Sequence, residues 1–278
     1  TFDIYWPYIE GYAQDAGSWE DFGEQMQETL GKKVVVSTYY HGETRGDYYI
    51  IEPDSSIEPD SSSDAGAEIV SPPMPLSQAH QQLQDLAQFL KSNGAYTNSS
   101  TGLHMGISLP DYGGDIDYVK LVMFTGDQYM LNTFGRAYNS YARSAMEKLT
   151  VRMRDAQDRK NRVSDSIDIV AVMNNLRKGL ATIASELVKG NIGREKYTSI
   201  HIKPDYIEFR IAGGDYLNQI DDAELAMLRF ARAYTIAADQ DAERGEYLKK
   251  LYKLVDSGSP TENLWAQYQS GEIDAAQP

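Results

Sequence analysis

The chain has no cysteine among its 278 residues. Disulfides, thiolate metal sites and cysteine nucleophiles are therefore excluded, and a reducing compartment is compatible with the composition. Histidine is scarce as well, with four copies. No apolar run approaches the roughly 20 residues needed to cross a bilayer, so no membrane partner is expected. Positive charge is thin: 26 Lys and Arg stand against 41 Asp and Glu, a net charge of −15. The deficit is concentrated in residues 1–75, where 15 acids meet three bases, −12 in all. Such a field repels phosphate backbones, so nucleic acid is not an expected partner. Most of these carboxylates read as solvated surface. A few are candidates to hold divalent cations, which would draw in an anionic cosubstrate. The first residue is Thr rather than Met, and no secretory leader pattern follows it. The start is expected to have been processed or cut short.

What is present suffices for a core, with 41% apolar and 11% aromatic residues. No clean linker interrupts the chain, so a single domain over 1–278 is expected. Residues 19–31 read as a short helix closed by Gly31. Two β-type runs, KVVVSTYY and DYYIIE, flank a loop through Gly42 and Gly46. A tandem acidic turn (Glu52-Pro53-Asp54-Ser55-Ser56, then Glu58-Pro59-Asp60-Ser61-Ser62) precedes a short strand at 67–71. Ser77 is placed to cap a helix whose apolar face runs through Leu76, Ala79, Leu83, Leu86, Ala87 and Leu90, with Gly94 as its stop. From about 115 to 190 the pattern is helical throughout. A strand pair at 197–211 and two helices, about 221–254 and 261–269, complete the chain. Early strands, one late hairpin and intervening helices predict an α+β fold with an antiparallel sheet.

The strand faces carry the chemistry. In YTSIHIKPDYIEFRI, Ile200 and Ile202 share one face with the turn Lys203-Pro204-Asp205 beyond. Ile207, Phe209 and Ile211 then alternate with Tyr206, Glu208 and Arg210, which makes an oily side and a charged side. Residues 102–108 repeat this layout, with Leu103, Met105 and Ile107 on one face and Gly102, His104, Gly106 and Ser108 on the other. An ordinary wet sheet face would be filled with Thr, Lys and Glu. Glycine weakens a strand, and one of its uses is to let another group approach the backbone.

Taken in order, Tyr49-Ile50-Ile51-Glu52-Pro53-Asp54-Ser55-Ser56-Ile57, Glu68-Ile69-Val70-Ser71-Pro72-Pro73, Gly102-Leu103-His104 and Ile207-Glu208-Phe209-Arg210 resemble the amidoligase family of glutamine synthetase-like carboxylate–amine ligases. The resemblance runs from about residue 34 to about 217, with about 218–278 as a helical extension. It implies a bent antiparallel sheet whose concave face binds metals and ATP, with helices packed on the outer face. It also implies a reaction in which ATP phosphorylates a carboxylate and an amine displaces the phosphate, giving an amide or isopeptide-type bond. Gathering so many negative charges requires cations and fixed dipoles. By resemblance, Glu68, His104 and Glu208 match metal ligands, Mg²⁺ or Mn²⁺, the imidazole suiting Mn²⁺ better. Arg210 matches the arginine on the transferring phosphate, where its planar fork of donors fits. Asp54 matches an acidic position on the substrate or metal side. Arg194 is a second candidate phosphate or carboxylate contact. Arg136 and Arg143, placed on a helical segment after the histidine strand, are candidate carboxylate contacts. Gly102 and Gly106 are expected to admit nucleotide and metal. The substrates would be a small-molecule or peptide carboxylate and an amine, in the cytoplasm.

Two departures from the family pattern stand out. Members open with a Gly-x-Glu-x-Glu strand whose glutamates hold both metals, whereas this chain opens Thr1-Phe2-Asp3-Ile4-Tyr5-Trp6. That strand is expected either just upstream of Thr1 or not at all. Gly106 also stands where a second histidine is common. The competing expectation is therefore a ligase fold without catalysis, acting as a binding or structural module. Relatives occur in bacteria and bacteriophages, so a virion component is one such role, with self-association or particle assembly as its mode. The 20 tyrosines suit an interaction surface. A third reading, a hydrolase using Glu68 and Glu208 as acid and base, leaves Arg210 and the Gly-Leu-His strand without roles.

Overall fold

A computed structural model describes residues 2–6, 19–38, 46–54, 58, 66–109, 112, 114–140, 142–152, 178–179, 181–186, 188–189 and 197–256. Seven strands form one sheet: β1 (Phe2–Trp6), β2 (Val34–Val36), β3 (Tyr49–Pro53), β4 (Ala67–Val70), β5 (Gly102–Ile107), β6 (Ile200–Ile202) and β7 (Ile207–Gly213). Their order is β2-β3-β4-β1-β5-β7-β6. The helices are α1 (Trp19–Leu30), α2 (Leu76–Ser92), α3 (Tyr118–Thr125), α4 (Asp127–Thr133), α5 (Ile220–Ala238) and α6 (Arg244–Asp256), with helical residues also at 145–152 and 181–186. The fold is α+β, as the alternation of strands and helices predicts.

The sheet has one apolar face, which alternation dictates. Ile51, Ile69, Leu103, Met105, Ile107, Ile207 and Phe209 all point into one buried cluster. Leu83, Leu86 and Leu90 of α2 and Met227 and Phe230 of α5 cover them. Phe209 stacks on Phe230 with ring centroids 4.6 Å apart and planes 3° from parallel. The Tyr49 hydroxyl donates to Gln82 Oε1 at 2.9 Å, tying β3 to α2. Helix α5, and Leu251 and Leu254 of α6, are thus integral to the core.

Several expectations are corrected. The pairing is not wholly antiparallel: β2 runs parallel to β3, while the other five pairings among the described residues are antiparallel. Residues 2–6, not anticipated as a strand, lie at the centre of the sheet between β4 and β5. The slot between those two strands is therefore filled by β1, which carries no glutamate. Ser77 does not cap α2; the helix starts at Leu76, after Pro75 at the N-cap and with no side-chain cap, so Ser77 lies inside its first turn. The region from 115 is not helical throughout. It breaks at Gly126 and again at Gly135, whose φ of 65° lies in the left-handed region that ends helices. Helix 221–254 is two helices, separated where the Asp239 carboxylate accepts from the backbone N–H of Asp241 and Ala242. Arg194, the helix at 261–269 and most of the tandem acidic turn lie outside the described residues.

One buried carboxylate fixes the approach to β6. Asp127, fully buried at the start of α4, accepts from Ser199 Oγ at 2.6 Å, the Ala145 N–H at 2.6 Å, the Met146 N–H at 3.3 Å and Ser144 Oγ at 3.1 Å. Ser199 in turn accepts the Arg210 N–H on its carbonyl at 2.9 Å. Removing the carboxylate strands several buried donors. Asp127→Ala is expected to lower stability by about 3 kcal/mol, with Asp127→Asn less harmful, as read from the urea midpoint at unchanged denaturant slope.

Candidate active site

The open face of the sheet is set by register. Asp3 of β1, Gly106 of β5, Glu208 of β7 and His201 of β6 fall on one line across the strands. On the neighbouring line, Tyr5 is the register partner of both Val70 and His104. Between Leu103 and Met105 the pairing with β7 slips: Leu103 faces Ala212 and Met105 faces Phe209, so β7 has two residues, Arg210 and Ile211, where β5 has only His104. This bulge lets Ile211 and Ala212 both enter the core while Arg210 joins Glu208 outside it. Bulges commonly re-aim side chains beside active sites.

The result is a compact polar cluster. Arg210 Nη1 lies 3.3 Å from Glu208 Oε2, and His201 Nδ1 lies 3.7 Å from the same oxygen. Glu208 is 6% exposed. Burial pushes its carboxyl up, but the adjacent His201 ring and the positive charges around it, Arg210 and Lys203 among them, hold it down at about 2. Burial, then Arg210, pushes the partly buried His104 ring down to about 3, with Arg136 and Lys203 adding to this and Glu208 opposing it. At neutral pH the site thus presents a carboxylate and a neutral imidazole.

Arg136 also reaches this cluster. It follows Gly135 in a loop rather than on a helix, and it is 5% exposed. Its Nη1 donates to the Ala212 carbonyl. A Cβ placed on Gly102 would stand 3.0 Å from His104 Nε2 and 3.3 Å from Arg136 Nη1. Gly213, the register partner of Gly102, has no room for a Cβ because Arg136 Nη1 occupies that space. The bare surface expected to admit nucleotide at Gly102 is taken by a guanidinium of the protein itself. The sequence offers this residue as a candidate contact but sets it on a helix; the signal for the loop was the helix stop Gly135 immediately before it. Arg143, by contrast, is exposed and bridges Thr198 through its backbone.

Glu68 lies on the same face, because Val70, two residues on, shares the Tyr5 line with His104. It sits two strands from β5, about 10 Å at ordinary strand spacing. Glu68 faces Glu52 of β3, and both are buried, at 4% and 2% exposure. Like charges directly opposite repel and favour a cation between them. Asp54, partly buried just past β3, is a further strand away. The structure therefore gathers His104, Glu208, Arg210 and Arg136, and leaves Glu68 and Asp54 outside that cluster.

Ionised Glu208 and neutral His104 are the forms in which these side chains bind metal. Among the described residues, no three His, Asp or Glu side chains stand close enough to hold an ion by themselves. The donors present fit a cation shared with nucleotide phosphates, the usual habit of Mg²⁺ on one or two carboxylates.

The protonation states predict a pH dependence. An imidazole at about 3 in the fold and 6.5 when free takes its proton only in the unfolded chain between those values, so stability falls on acidification through that window. Glu208, at about 2 against an ordinary 4.5, adds loss of the same sign below pH 4.5. From pH 7 to pH 5 the urea midpoint is expected to drop, at a slope of at most about 1.4 kcal/mol per unit from this ring. His104→Gln flattens the slope; an equal slope in both proteins contradicts the assignment.

Among the described residues no helix is long and apolar enough to cross a membrane. No curated protein and no solved structure matches the chain. Residues 16–220 match the family model described as "Putative amidoligase enzyme", a span that starts after β1 and takes in Glu68, His104, Glu208 and Arg210. The chain belongs to this amidoligase family.

Proposed function

We propose that the protein is an ATP-dependent carboxylate–amine ligase with a glutamine synthetase-like sheet. The observation that carries this reading is the gathering of His104, Glu208 and Arg210 around the β5–β7 bulge on the open face, in a chain of this family. In the reaction, a carboxylate oxygen attacks the γ-phosphorus of ATP and ADP leaves. The amine nitrogen then attacks the acyl carbon, loses a proton, and expels inorganic phosphate as the amide forms. Arg210 is placed for the transferring phosphoryl group. Its Nε has no partner and Glu208 takes one Nη1 contact, so donors remain to bind equatorial oxygens as charge spreads over them. Glu208 and His104 would hold Mg²⁺ or Mn²⁺ together with the nucleotide, with Glu68 and Asp54 serving the more distant part of the face. The bound cation would supply charge neutralisation between phosphate and carboxylate. Glu208 also keeps Arg210 oriented, and low-pKa His104 stays uncharged beside it, so the site does not add a third fixed cation.

The second reading, a ligase fold retained as a binding or structural module, for example in a virion, rests on one observation. The central strand β1 holds Tyr5, not a glutamate, on the His104 line. Calorimetry separates the two. For the ligase, ATP with Mn²⁺ gives saturable heat that falls at least tenfold in affinity in both His104→Ala and Glu208→Gln, and hydroxylamine traps an acyl group as hydroxamate with ADP release. Absence of heat at millimolar ATP, with no hydroxamate from any acid offered, favours the module.

A further inference from the structure

Among the described side chains, the cluster at the β5–β7 bulge holds more positive charge than the one carboxylate beside it balances, Glu52 and Glu68 lying two or more strands away on the same face. Arg136 and Arg210 bring two guanidiniums, Glu208 brings one carboxylate, and His104 is neutral. Glu208 is engaged by Arg210. Arg136 has a backbone carbonyl, that of Ala212, as its hydrogen-bond partner and no ion pair among the described residues. Its Nε is buried without a partner, as is the Nε of Arg210. Burial, and after it the like-charged Arg210, lowers the pKa of Arg136 only to about 10, so it remains charged at pH 7. A buried unpaired guanidinium is costly, and the penalty is relieved by an anion that accepts from it. Nor is the placement incidental. Two facing glycines, Gly102 and Gly213, leave the space that the guanidinium fills, and a side chain at Gly213 would displace it.

We infer that Arg136 and Arg210 form a two-guanidinium seat for a substrate oxyanion, with Arg136 the binding residue set by the Gly102–Gly213 pair. The shared chemistry is an oxygen anion presenting two acceptors, which a planar fork binds in bidentate fashion. Two sources supply it: the phosphates of the nucleotide, or a carboxylate of the acid substrate. In the second case the acid carries a second carboxylate besides the one activated. The inference rests on the ligase reading for the identity of the anion, and not for its binding.

The test is done on the full chain in EDTA, without metal, so that the seat and the ligase reading fail separately. Thermal shift and calorimetry are run with inorganic phosphate, ATP, glutarate and butyrate on the wild type, Arg136→Lys and Arg136→Met. Saturable stabilisation by phosphate and ATP, at least tenfold weaker in Arg136→Lys, assigns the seat to the nucleotide. The same loss for glutarate, with butyrate inert in all three proteins, assigns it to a dicarboxylic acid. Arg136→Lys keeps the charge and is the deciding variant should Arg136→Met fail to fold. The inference is overturned if no anion binds the wild type saturably, or if Arg136→Lys binds as tightly. Metal-dependent ATP heat lost in His104→Ala while the anion arms are silent would uphold the ligase and remove the seat.

Discussion

One extra residue in β7 opposite His104 organises the open face. Ordinary alternation along β7 would have sent the residue after Ile211 back to the open side. The slip instead places Ile211 and Ala212 together in the core and brings Gly213 opposite Gly102. Two consequences follow from that one step. His104 has two β7 residues across from it, Arg210 among them, and a slot opens between two glycines into which Arg136 packs. The buried stack of Phe209 on Phe230 anchors the strand just before the slip, and Asp127, through Ser199, anchors the strand beside it.

The electrostatics of that face run against the rest of the molecule. A chain of net charge −15 places two guanidiniums, Arg136 and Arg210, at the β5–β7 bulge and keeps the imidazole beside them neutral. Long-range repulsion of anions by the acidic surface is short in salt, about 8 Å at physiological ionic strength, whereas donors in a partly buried cluster act with less screening. A nucleotide or a carboxylate reaching the β5–β7 end of this face meets the guanidiniums of Arg136 and Arg210. Such an arrangement is suited to a reaction that collects phosphate and carboxylate in one place.

Much of this was legible in the sequence. The alternation in Ile207, Phe209 and Ile211 against Glu208 and Arg210 assigned both faces of the hairpin, and the bare Gly102-Leu103-His104 strand marked the neighbouring one. Other features lay beyond local pattern. Strand β1 is five residues long and ends just before Pro7, too short for periodicity to announce it, and its central position is set by partners distant in sequence. The parallel pairing of β2 with β3 likewise depends on how the chain crosses over between them. The bulge leaves no mark in composition, since Ile211-Ala212 reads equally well as a strand ending. The sequence marks Arg136 as a candidate carboxylate contact but places it on a helix rather than in the loop after Gly135, and the bareness of Gly102 signalled a close approach without saying that a protein side chain makes it. Glu68 and Asp54 carry family motifs, yet strand order sets them apart from His104.

The central claim is that one face of the β5–β7 pair binds the cation–nucleotide complex. Its most direct test is anomalous diffraction at the manganese edge, from crystals of the protein grown with Mn²⁺ and a non-hydrolysable ATP analogue. The account predicts a manganese peak beside His104 and Glu208, with the analogue's terminal phosphate against Arg210. Nucleotide bound on another surface, or manganese seated away from both side chains, would contradict it.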